Sequence, residues 1–78
     1  MTAMQQTRHL TAVIEREDDQ FVALCPELDI ASQGESIESA RRNLVEAVEL
    51  FFETADASEI RQRLRGEMYV TPIEVRVA

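Results

Sequence analysis

With 78 residues, the chain has room for one domain with a thin core. Its 45% apolar share excludes wholesale disorder, and its formal charge of −7 disfavours a nucleic-acid backbone as partner and favours a basic one. Cys25 is the only cysteine, which excludes an internal disulfide, and no run of about 18 apolar residues offers a membrane span.

The charge is uneven. Residues 1–56 hold 12 acids and 4 Arg, whereas residues 57–78 hold 3 acids and 4 Arg; there is no Lys. Negative charge also serves simply to keep a small protein soluble. Residues 1–7 are polar and read as a flexible tail without signal-peptide character, and residues 8–78 read as a single domain. With one free thiol and no signal, a reducing, cytoplasmic location is expected.

The first strand is predicted over Arg8 to Arg16, where Leu10, Ala12 and Ile14 alternate with Thr11, Val13 and Glu15. Glu17-Asp18-Asp19-Gln20 is a polar turn. A second strand runs from Phe21 to Cys25 and should end at Pro26, which lacks an amide proton. Leu28 to Gln33 reads as a third strand closed by Gly34. Three strands in close succession imply an antiparallel meander.

Ser36 suits a helix N-cap, followed by an apolar stripe at Ile37, Ala40, Leu44, Ala47, Val48 and Phe51 that reaches about Thr54. Glu38 places negative charge near the helix N-terminus and is spaced to pair with Arg42. Val45 and Phe52 widen the apolar arc on one flank, and Leu50 lies outside it. These three residues are candidates for contact with a second copy of the chain. A short second helix is expected over Glu59 to Arg65, capped by Ser58, anchored by Ile60 and Leu64 and followed by Gly66. From Met68 the period changes to two, with Tyr69, Thr71, Ile73, Val75 and Val77 on one face. This predicts a final strand, interrupted or made an edge by Pro72. The expected class is α+β in the order βββααβ.

Chemistry-bearing patterns are sparse. Gly34 and Gly66 lie too far apart for a phosphate cradle. His9 and Cys25 are too few for structural zinc, so neither a metal, a cofactor nor a catalytic set is expected. The turn Glu17-Asp18-Asp19 lacks the oxygens and spacing of a calcium site and reads as a solvated tip, or as the acidic patch that faces a basic partner. Arg61, Arg63 and Arg65 read as a charged helix end rather than a nucleic-acid site. Asp29 and Glu15 are the only start for a carboxylate pair that could hold Mg²⁺.

The segment Phe21 to Ala40, FVALCPELDIASQGESIESA, resembles the core of HicB-like antitoxin domains. So do the preceding strand ending VIERED at Asp18 and the continuation Asn43 to Glu53, NLVEAVELFFE. The resemblance covers about residues 10–54. It implies a partial RNase H-like fold: a three-stranded meander, a packed helix and a further strand. It also implies a non-enzymatic antitoxin that forms dimers or larger oligomers and covers a small basic HicA-type mRNA-cleaving toxin. Many such antitoxins carry a C-terminal DNA-binding module. Here the last predicted strand ends at Ala78, so no direct DNA binding is expected. A stand-alone relative would be a structural or regulatory homo-oligomer with no toxin partner.

Overall fold

The computed structural model describes residues 7–78. The flexible tail expected over residues 1–7 lies, apart from Thr7, outside the described residues. Three strands, β1 (Val13–Glu17), β2 (Gln20–Cys25) and β3 (Ile30–Gly34), are followed by helices α1 (Ile37–Thr54) and α2 (Ala57–Leu64). The strands form one antiparallel sheet in the order β1-β2-β3, with Val13 opposite Leu24 and Phe21 opposite Gly34. The α+β class and the meander are as expected.

Alternation places Ile14, Ala23, Cys25 and Ile30 on the face that meets α1. There Ala23, Cys25, Leu28, Ala40 and Leu44 form the buried core, with Phe21, Val48, Phe51, Phe52 and Leu64 packed around it. Helix α1 lies mainly over β3 and least over β1. Asn43 Nδ2 donates to the Gln33 carbonyl at 2.8 Å, fixing that side of the helix to β3.

The start of α1 follows from its cap. Ser36 Oγ accepts from the Ser39 amide at 3.0 Å, and Ser39 Oγ accepts from the Ser36 amide at 2.9 Å. This is a capping box with Ser in place of the usual Glu or Gln. Gly34 makes the entry possible. A Cβ there would lie 2.3 Å from Ser39 Oγ and 2.6 Å from the Ala40 amide nitrogen.

Five sequence expectations are corrected. First, β1 begins at Val13, not Arg8. Its partner β2 ends at Cys25 and the chain turns at Pro26, so earlier residues have no ladder to join. Second, β3 begins at Ile30, because Leu28 is turned inward and fully buried while Asp29 takes a left-handed conformation at φ 55°. Third, Glu38 pairs with Arg41 at 2.6 Å, not with Arg42. Fourth, α2 is capped by Asp56 rather than Ser58. Asp56 Oδ1 accepts from the Glu59 amide at 2.9 Å and from the Ser58 hydroxyl at 2.8 Å. A carboxylate there also meets the positive end of the helix. The helix stops at Leu64 with right-handed backbone at Arg65, and Gly66 has no positive φ.

The fifth correction is the largest. Among the described residues no strand follows α2. Residues 68–78 keep their period-two pattern but form no ladder with any strand among the described residues. Tyr69, Ile73 and Val77 are 81%, 81% and 87% exposed. The molecule measures 61 × 29 × 19 Å with a radius of gyration of 15.4 Å. A compact chain of this length is expected near about 11.5 Å.

Candidate interaction surface

The β1–β2 hairpin carries the acidic patch. Glu17 pairs with Gln20, leaving Asp18 and Asp19 as a two-residue turn. Asp18 takes φ 55°, a left-handed conformation that Asp tolerates better than most residues. Glu17, Asp18 and Asp19 are all exposed and meet at the tip. Strand alternation adds Glu15 to the same side as Glu17, while Arg16 points to the helix side with its guanidinium 5.3 Å from the Phe21 ring centre.

The acids rim a second feature. Val13, Glu15, Glu17, Val22, Leu24 and Ala31 line a shallow depression on the sheet face away from α1. No element among the described residues covers it. The sheet therefore presents an apolar floor bordered on one side by carboxylates, a form suited to a partner with basic and apolar groups together.

The other sequence candidates divide. At about 100° per residue, Val45 and Phe52 fall within about 20° of each other on α1, whereas Leu50 lies about 140° from Val45. Phe52 sits under the Arg8 guanidinium at 5.6 Å, on the flank opposite the one Asn43 fixes to β3. Val45 and Phe52 thus share one flank, on the β1 side, and Leu50 belongs to the other. Val45 is 43% exposed and Leu50 58%.

Glu15 and Asp29 are not brought together. Glu15 pairs with Val22, and Asp29 precedes Ile30, which pairs with Cys25. They lie on opposite sides of β2, about 10 Å apart across it and about 13 Å along it. Among the described residues no three His, Cys, Asp or Glu side chains converge as metal ligands. His9 is exposed. Arg63 donates to the Leu28 carbonyl and stacks 5.4 Å from the Phe51 ring centre, which ties α2 to the core. Arg61 and Arg65 are exposed beside Ser58.

Sequence reasoning missed one network. The Glu27 carboxylate accepts from the Thr11 hydroxyl at 2.7 Å, from the Thr11 amide at 3.0 and 3.1 Å, and from the Cys25 thiol at 3.5 Å. These bonds tether the chain before β1 to the turn after β2. Nothing at a separation of 16 residues announces such a pairing. Burial pushes the Cys25 thiol up, and the neighbouring carboxylate adds to it. For Glu27, burial would raise the carboxyl, but the hydrogen bonds from Thr11 outweigh it and hold it below the ordinary 4.5.

A lowered carboxyl contributes stability that is fully present above the unfolded value and lost as pH falls through the folded one. Wild type should therefore lose this contribution below about pH 4.5. Glu27→Gln should cost about 1.5 kcal/mol at pH 7. The gap between the two proteins should narrow in urea titrations below pH 4. A gap that is constant from pH 7 to 3 would refute the tether.

The fold and surface define a small α+β domain: a three-stranded meander backed by one long helix, with one sheet face and the segment after α2 uncovered among the described residues. A UPF0150 protein of Helicobacter pylori strain J99 is 36% identical to it over 70 residues, spanning 88% of this chain and 97% of the relative. The chain belongs to the UPF0150 family. No protein-family model matches the chain, and no solved structure matches it. Among the described residues no helix is long and apolar enough to cross a membrane.

Proposed function

We propose that this protein is a HicB-like antitoxin, a partial RNase H-like domain of the cytoplasm. It binds a small basic HicA-type mRNA-cleaving toxin and neutralises it by protein contact. The observation that carries this reading is the acid-bordered, uncovered sheet face beside the hairpin of Glu15, Glu17, Asp18 and Asp19. Support comes from membership of the UPF0150 family and from the HicB-like motif over about residues 10–54. The carboxylates steer a basic partner to the surface, and the apolar floor of Val13, Val22 and Leu24 holds it there.

Charge reversal tests the surface without disturbing the fold. Asp18 is kept, because its left-handed backbone disfavours a longer side chain. Glu17→Arg with Asp19→Arg should weaken toxin binding at least about 10-fold, mainly through slower association and with a flatter salt dependence. Surface plasmon resonance at two salt concentrations reads both. Unchanged association rates would place the toxin elsewhere.

One observation favours a second reading, a homo-oligomer with no toxin partner. The Val-rich segment after α2 is exposed throughout, as are Val45 and Leu50. Few chains of this size leave so much apolar surface in water.

A further inference from the structure

We infer that residues 68–77 are a donated strand: they pair with the exposed edge of β1 in a second copy of the chain, which returns its own segment. This rests on the reading of the chain as a homo-oligomer and names the contact that builds it.

The segment has every property of a strand except a partner. Tyr69, Ile73, Val75 and Val77 alternate with residues of the opposite face, and each is at least 67% exposed. Left alone, its amides and carbonyls form no ladder and its apolar side chains face water.

The acceptor follows from the asymmetry of the domain. The sheet has two edges, and α1 lies over β3, where Asn43 already holds the Gln33 carbonyl. The β1 edge is less covered, and four of its five residues are exposed. Above that side hangs the helix flank of Val45 and Phe52, with Arg8 across Phe52. A strand laid along β1 with its Tyr69, Ile73, Val75 and Val77 side turned to the helix would cover this flank. Its other face would then bring Glu74 and Arg76 to the side of the sheet where Glu15 and Glu17 stand, and the register that sets Arg76 beside one of these acids places opposite charges in cross-strand reach. The added strand becomes the outermost one, a place that accepts Pro72, whose missing amide proton can face outward. Reciprocal exchange closes as a two-fold dimer.

Two measurements on the full chain test this. Light scattering should give a dimer, and Ile73→Asp with Val75→Asp should weaken association at least about 30-fold. Both residues are exposed in the single chain, so unchanged helical circular dichroism is expected and would separate lost association from lost folding. In dimers mixed from differently isotope-labelled copies, amides of residues 69–77 should show intermolecular contacts with residues 13–17. Their hydrogen exchange should slow at least about 100-fold relative to unstructured chain. A dimer in which this segment exchanges freely would overturn the donated strand and leave the oligomer standing. Contacts only within one copy would overturn the donated strand, and a monomer would overturn both.

Discussion

Leu44→Ala should remove a large share of this domain's stability. Leu44 is 4% exposed and belongs to a buried set completed by Ala23, Cys25, Leu28 and Ala40. Only Leu28 and Leu44 in that set are large aliphatic side chains, so neighbours cannot collapse into the space one of them leaves. Truncation of a buried Leu to Ala costs about 2–5 kcal/mol, through lost transfer energy and the residual cavity. A domain of this length holds about 4–12 kcal/mol in total. The thin core puts the protein at the low end of that range, because so much of its apolar surface remains outside. Thermal unfolding at a fixed protein concentration should fall by at least about 10 °C. A fall of less than about 3 °C would mean that α1 does not sit on the sheet as described.

Gly34→Ala should cost nearly as much, although it adds only a methyl group. The new Cβ would lie 2.3 Å from Ser39 Oγ, 2.6 Å from the Ala40 nitrogen and 2.8 Å from the Ser39 carbonyl carbon. Ser39 Oγ can rotate away, but it then gives up the Ser36 amide and half of the capping box, worth about 1 kcal/mol. The two backbone atoms cannot rotate, so the end of β3 must move from the start of α1. Overpacking of this kind costs about 1–3 kcal/mol. Against it stands a gain of at most about 1 kcal/mol from restricting the unfolded chain. The net should be a loss of about 2 kcal/mol, read as a lower urea midpoint with unchanged slope. Equal or greater stability would contradict the close approach of β3 to α1.

The two substitutions bracket what could be read from residue order. Ser36 announced the start of α1 because a cap acts on amides two or three residues away. The acidic turn announced the β1–β2 hairpin for the same local reason, and Pro26 marked the end of β2. Where a boundary depended on a distant partner, residue order failed. The start of β1 is decided by where β2 stops. Asp56 displaced Ser58 as cap because a carboxylate serves both the free amide and the helix dipole. The period-two pattern of Tyr69 to Val77 predicted a strand that the described residues do not form, because periodicity does not say against what a face would be buried. The acidic tip was legible; the uncovered apolar floor beside it was not, since Val13, Val22 and Leu24 meet only through strand pairing. Likewise Val45 and Phe52 kept company on one flank, whereas Leu50 points to the other.

Co-expression tests most directly the proposal that the acidic sheet face receives a basic toxin. A small basic HicA-type toxin would be induced alone and together with the chain. The two proteins should co-purify as a stable complex, and growth arrested by the toxin should be restored by the wild-type chain but less well by the Glu17→Arg, Asp19→Arg variant. Independent elution of the two proteins, with growth still arrested when both are made, would contradict the antitoxin function.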